Sequence, residues 1–583
     1  MRVHKGKALL AGVAAIALGL TACSSSGNSG TSPNTSGTKG TGAFANCATD
    51  PLTCNSGDTK PGGDVTYVME KTVVGWNINY TTSNVFDVAE ALDGVMPSAF
   101  YGAPDLTPKM NEDLLDSATS DTVNGKQVIT YKIKQGAQWS DGTPINFDDW
   151  QYAWQTQDGT TCSKCGAAST SGYDQIDNMT SSDNGKTVVV TMKAPFADWQ
   201  VMFGPLLPAH IAKEHGDDGS DAGLNESFQW FDKNVPTWSG GPYLISNYQK
   251  DTLITEKPNP KWYGATKPSL STLSFKIITS QDQEPDALRN NEVQVMYPQP
   301  NKDLVDNVNA IGGDTQTYIG KGLVWEHFNI NEKNQFLADK ALRQAIFTAI
   351  NRKEVIARTY GEFVPNMEPM GNHIYVPGQA GYVDNLADSD IGSGNVDAAK
   401  KILTDAKYTG VGSALKTPDG TAVPTLRCTY SEGNTYRQTE CQLVQQACKA
   451  LGFNITLKTT PDLGELGTGD FDIIVFAWVG APFVVAGANQ IYTAKGGANF
   501  AYTYNSDPTA EGYIKQAQGE TDQSKIQDLM NKADVLLEQD AFELPLYQKP
   551  TYLAAYNNIV NLRDDATSTG PPYNVQEWGI KAS

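Results

Sequence analysis

Five histidines and eight cysteines are the side chains of this 583-residue sequence with most claim to metal or nucleophilic chemistry. His4 falls in the opening residues, and His327 and His373 stand alone. His210 and His215 lie five apart around Glu214, which misses the one-face spacing of a zinc-peptidase helix. No Gly-x-Ser-x-Gly elbow, phosphate loop or calcium loop occurs, so a secreted hydrolase is disfavoured and neither cofactor nor metal is expected. Cys162-Ser163-Lys164-Cys165 has dithiol spacing, but no second pair or nearby histidine completes a metal site. A structural disulfide in a loop is the expectation.

What remains is the chemistry of binding, carried by aromatic rings and backbone groups. Phe471 to Phe476 is a short apolar run that fits a strand buried on both faces of a mostly parallel sheet. Gly480 and Pro482 stop it just past Trp478. A large ring thus arrives at the carboxyl end of a strand, where open α/β sheets keep their ligand crevices. Trp478 can equally be core packing. Further candidates for ligand contact are Trp76, Asn77, Tyr101, Trp325, Glu432, Val479, Gly480, Asn499 and Tyr502, several in loops of polar or glycine-rich composition. Each has a plainer reading, Trp325 as core and the glycine-rich loop around Asn499 as a turn.

The amino terminus reads as an export signal: Arg2, Lys5 and Lys7, an apolar run from Ala8 to Leu20, then small residues before Cys23. Leu20-Thr21-Ala22-Cys23 resembles a lipobox, which would make residues 1–22 a signal peptide and Cys23 the lipid attachment site. Residues 23–63 are rich in Gly, Ser and Thr and are expected to be a flexible tether reaching about 35 Å. Losing the three signal cations takes the formal net charge from −21 to −24. Such acidity argues against nucleic acid and anionic lipid as partners, leaving the membrane to the lipid anchor alone. With Cys23 lipidated, Cys47 with Cys54 and Cys162 with Cys165 are local pairs. A helix rising about 1.5 Å per residue brings Cys441 level with Cys428, leaving Cys448 free.

Strands alternate with helices along the chain, the pattern of an α/β fold. Val65 to Met69, Gln127 to Lys134, Thr187 to Met192, Leu273 to Ile278, Val324 to Ile330 and Thr425 to Tyr430 read as strands. Asp148 and Asp149 start a helix carrying Trp150 and Trp154, and Asn434 caps one that Gly452 ends.

The order of Trp139-Ser140-Asp141-Gly142-Thr143-Pro144-Ile145, the Asn184-Gly185 hairpin, Leu206-Leu207-Pro208-Ala209-His210, Gly240-Gly241-Pro242-Tyr243, Asn259-Pro260-Lys261-Trp262-Tyr263, Leu342-Arg343-Gln344-Ala345-Ile346 and Leu544-Pro545-Leu546-Tyr547 resembles the dipeptide- and oligopeptide-binding proteins of bacterial ABC importers, solute-binding family 5. The resemblance runs from Asp64 to the carboxyl terminus. It implies a two-lobed type II periplasmic-binding-protein-like fold. The first lobe, residues 64–320, carries an extra subdomain at about 91–235 and is completed by residues 545–583; the second lobe is 321–544. Hinges would lie near Gly320-Lys321-Gly322 and Glu543-Leu544-Pro545. A monomer anchored outside the cell would capture a peptide or similar solute for a membrane permease. In peptide-binding relatives the loop reads Trp-x-x-Asp, and the aspartate takes the ligand's amino terminus; here Ala481 stands there. Glu432, Glu70 or Glu465 could substitute, or the solute is a modified peptide, a sugar or a signal molecule taken by a sensor or scavenger.

Overall fold

The computed structural model describes residues 36–461, 463–480, 482–494, 499–500 and 508–582. Cys23, Ala481 and Tyr502 lie outside these residues, as does the signal segment. Two long antiparallel strands form the middle of the molecule. Thr315–Ile330 has 16 residues and Glu543–Tyr556 has 14, nearly all buried, because packing covers both faces. At about 3.3 Å per residue the first spans about 50 Å, enough to serve two cores in turn. They pair from Thr315 opposite Tyr556 to Asn329 opposite Glu543, and the register breaks between Lys321 and Trp325.

One core gathers Tyr67, Trp139, Phe228 and Trp578; the other gathers Phe328, Phe347, Val444 and Tyr547. A single sheet links them. Its order is Tyr243–Gln249, Leu253–Pro258, Thr272–Ile277, Asp64–Met69, Val295–Met296, Glu543–Tyr556, Thr315–Ile330, Ile473–Val479, Leu426–Ser431 and Ile455–Thr460. The sheet is mixed. Ile473–Val479 runs parallel to Leu426–Ser431 but antiparallel to Thr315–Ile330, which corrects the expectation of a mostly parallel neighbourhood. The two long strands oppose each other because the chain runs along one and returns along the other, and Ile473–Val479 joins the far edge of that pair, antiparallel to its neighbour.

A separate four-stranded sheet, Leu115–Val123, Lys126–Ile133, Thr187–Met192 and Ile176–Ser182, lies within the stretch expected as the extra subdomain. Its helix Phe147–Gln157 begins one step earlier than Asp148. Asn146 is the cap, its side chain accepting from the Asp148 N–H while the Asp149 carboxylate accepts from the Asn146 N–H.

The tether expectation fails over its second half. Lys39–Gly40 pairs with Ile319 and Tyr318, Phe44 is fully buried in the first core, and Thr59–Lys60 pairs with Gly579–Lys581. A buried ring, a buried Cys47–Cys54 disulfide and these two strand pairings hold a segment whose composition reads as coil. The structure also joins Cys162 to Cys165 and Cys428 to Cys441, and Cys448 is a buried free thiol. No helix among the described residues is long and apolar enough to cross a membrane.

Candidate functional site

Strand Ile473–Val479 delivers Trp478 to a point directly across from Trp325 on the neighbouring antiparallel strand. The following turn is held close, with the Gly480 N–H donating to the Leu323 carbonyl at 2.9 Å. A Cβ at position 480 would sit 2.8 Å from that oxygen, which is why the position takes glycine. Trp478 is half-buried between two parallel rings, His327 at 5.6 Å and Phe500 at 5.6 Å. Its indole N–H donates to Glu543 Oε2 at 3.1 Å. Trp325 is buried in a small cluster with Leu323, Met370 and Val376, against which Leu106 packs from the first body. Val479 is 77% exposed.

Behind Trp478 lies a buried polar layer that sequence inspection missed. Glu543 is fully buried, accepting from Tyr492 Oη at 2.9 Å as well as from Trp478. Burial raises its pKa. His327 Nε2 lies 3.6 Å from Glu543 Oε2, beyond hydrogen-bond range, and neither ring nitrogen has a hydrogen-bond partner among the described residues. Burial lowers the His327 pKa well below its usual value, then Arg437 adds to it, so this imidazole is neutral.

His373 behaves oppositely. Nδ1 meets Asp534 Oδ1 at 2.9 Å and Nε2 faces the Glu543 carbonyl at 3.2 Å. Burial pulls its pKa down, but Asp534 overrides this and pushes it up to about 9. The side chains of His373, Asp534 and Glu538 come within 4.8 Å of one another, a grouping with metal-ligand chemistry that their sequence separation hides. With both nitrogens donating to acceptors, however, the imidazolium offers no lone pair to a metal.

Segments far apart in sequence meet at the mouth of this site. Helix Val484–Tyr492 begins just after the Trp478 turn, and Phe483 at its N-cap supplies no side-chain cap. Asp198, from the first body, accepts from the Ala486 N–H at 2.8 Å instead. Its neighbour Ala197 is buried with Tyr375 and Val485 in a further cluster. Beside this junction is a cavity of about 180 Å³ whose walls include Tyr101 and Thr569 on one side and Phe483 on the other. Tyr101 stacks on Tyr573 at 6.1 Å, and burial pushes its phenol up to about 12. A larger cavity of about 640 Å³ lies apart from Trp478, between Lys321, Arg352 and Pro550 at the register break.

Several sequence candidates fall elsewhere. Trp76 is buried against Tyr248 at 4.9 Å, and the Asn77 side-chain amide donates to the Phe228 carbonyl at 3.1 Å. Both are scaffold of the first core, since an aromatic in a polar loop reads alike whether a ligand or a neighbouring strand covers it. Glu432 is exposed and its main-chain N–H is tied to Thr460. Glu70 accepts from Gln281 at 3.2 Å, and Glu465 pairs with Lys458 at 3.5 Å. Asn499 reaches back to the Thr493 carbonyl at 3.4 Å.

Comparison with known proteins agrees with this architecture. The family model for bacterial extracellular solute-binding proteins, family 5 middle region, matches residues 114–500. The oligopeptide-binding protein OppA of Mycobacterium tuberculosis is 29% identical over 556 residues, covering 94% of this chain and 89% of that protein. Among solved structures, the periplasmic EDTA-binding protein EppA superposes with a TM-score of 0.83 at 34% identity, covering 91% of this chain and 99% of its own. The oligopeptide-binding protein AppA of Bacillus subtilis, in complex with a nonapeptide, superposes with a TM-score of 0.67 at 18% identity, covering 90% of this chain and 100% of its own, a likeness of fold. With a match that spans well over half its length, the chain belongs to the bacterial extracellular solute-binding proteins of family 5.

Proposed function

We propose that this protein is the capture component of an ABC importer, closing two lobes around a peptide or peptide-like solute and presenting the closed form to a membrane permease. The observation that carries the reading is a cavity walled by Tyr101 from one body and Phe483 from the other, next to a tryptophan fixed by Glu543. A guest touching both walls favours the shut arrangement by its differential affinity for that state. The hinge in this reading is the register break at Lys321 to Trp325 opposite Gln548 and Pro550. That places the second crossing a few residues beyond Glu543-Leu544-Pro545. The first lobe then comprises residues 36–320 and about 550–583, and Cys23 anchors a monomer to the outer face of the cell membrane by lipid. No step requires a cofactor or a catalytic residue.

A second reading keeps the fold and changes the guest. EppA binds EDTA, and the position three past Trp478 carries alanine, so a non-peptide solute taken by a sensor or scavenger is the alternative. The deciding experiment strips co-purified ligand by unfolding and refolding, then follows small-angle scattering against pools of peptides, sugars and chelators. Contraction with the peptide pool supports import of peptides; contraction with another pool alone supports the alternative. Identical profiles in every case overturn capture itself.

A further inference from the structure

The walls of the 640 Å³ cavity come from both crossing strands at the register break, Gly320 and Lys321 on one, Gln548 and Pro550 on the other. Arg352 forms a further wall. Its side chain is 7% exposed, yet no carboxylate pairs with the guanidinium among the described residues. Nη1 donates to the Met370 carbonyl at 2.5 Å and the Pro545 carbonyl at 3.3 Å. The other edge is left over: Nε is buried without a partner, and Nη2 donates to no described residue.

A buried donor with nothing to donate to is costly, and two parallel N–H groups on one guanidinium edge match the paired oxygens of a carboxylate or phosphate. Gly392, on the same wall, keeps that edge uncovered. Its φ is +77°, and a Cβ there would stand 2.2 Å from Arg352 Nε. Tyr382 adds a donor, since its hydroxyl accepts from the Gly371 N–H at 3.1 Å while its own hydrogen has no acceptor among the described residues. Of the acids on the wall, Glu368 is taken by Lys353 at 3.5 Å, and Asp384 Oδ1 accepts from the Leu386 N–H at 3.1 Å. Val364, Met367 and Leu386 supply apolar surface beside these groups.

We propose that this cavity is a second binding site, apart from the Trp478 turn, for a small organic oxyanion whose carboxylate or phosphate oxygens lie on the Nε–Nη2 edge of Arg352 and whose apolar body packs on Val364, Met367 and Leu386. It goes beyond the capture reading and does not depend on it. The test is calorimetric titration of the full chain with phenyl phosphate, benzoate and benzamide, the last an uncharged match to benzoate. One equivalent of phenyl phosphate or benzoate is expected to bind with a Kd of about 1 mM or tighter, and benzamide about tenfold more weakly or worse. Binding of phenyl phosphate alone assigns a phosphate ester and of benzoate alone a carboxylate; either supports the site. Arg352→Lys keeps the charge but loses the paired edge, and should weaken the bound oxyanion by about tenfold or more. Ala387→Glu, at an exposed residue of the cavity wall, brings a tethered carboxylate there. It should weaken the oxyanion by about fivefold or more with an unchanged melting temperature, and serves if Arg352→Lys fails to fold. No saturable heat with either oxyanion, benzamide binding as tightly as benzoate, or an affinity that either folded variant leaves intact overturns the proposal. Trp478→Ala should leave oxyanion binding unchanged. Binding lost in Trp478→Ala and kept in Arg352→Lys would put the probe in the capture cleft, ending the second site and leaving capture standing.

Discussion

The Asp198 carboxylate accepts a hydrogen bond from the Ala486 N–H at 2.8 Å, so a residue of one body caps a helix of the other. An N-cap is normally local; here it comes from 288 residues away. Burial pushes the Asp198 pKa up to about 6. Asp198→Ala should therefore loosen closure by about 1 kcal/mol, roughly fivefold in apparent affinity, while the melting of each body is little changed. Titration calorimetry and scattering on the variant measure both; an affinity equal to wild type would remove the cap from the closing mechanism.

Trp478→Ala should weaken solute binding well beyond tenfold while thermal unfolding stays cooperative, because the ring contributes a large contact face and its removal also leaves the buried Glu543 with one donor fewer. Trp478→Phe keeps the ring stack but loses the indole N–H, and an intermediate loss of affinity by calorimetry is the expected outcome.

Stability should fall as pH rises. The folded His373 titrates at about 9, above its unfolded value of about 6.5, so its contribution is complete below about pH 6.5 and is lost through about pH 9. Acids that burial raises push the same way, Asp149 to about 6, Asp565 to about 7 and Glu538 to about 8, since the folded chain keeps protons that the unfolded chain has released. Melting temperatures at pH 6, 8 and 9.5 should decline in that order. His373→Gln should flatten both steps.

Cys448 is fully buried, and burial drives its thiol far above the usual range. A soluble form starting at Ser24 should show no reactive thiol when native and one per chain in guanidinium. More than one in denaturant would mean that a disulfide is missing.

Phe44→Ala should cost about 3 to 5 kcal/mol, the range for emptying a large aromatic site in a packed core. Chemical denaturation tests it. A change under 1 kcal/mol would return residues 36–63 to the status of a tether.

Local signals carried part of this architecture. The apolar run before Gly480 and Pro482 placed Trp478 at a strand end, and helix rise placed Cys441 beside Cys428, because both depend on neighbours within twenty residues. Glu543, Asp198 and the pairing of Trp325 with Trp478 were not legible, since each gains meaning from a partner far along the chain. Phe44 illustrates the remaining gap: one ring in a serine- and glycine-rich stretch carries too little periodic pattern to reveal that it docks.

The amino-terminal segment touches both sides of the pivot proposed above. Gly37 donates to the Pro365 carbonyl, Lys39 and Gly40 join the crossing strand at Ile319 and Tyr318, and Phe44 enters the first core. A leash fastened beside a clamshell's axle has almost no lever arm. If Cys23 carries the lipid proposed above, tugging by a swaying membrane would turn the whole shell without prying it ajar.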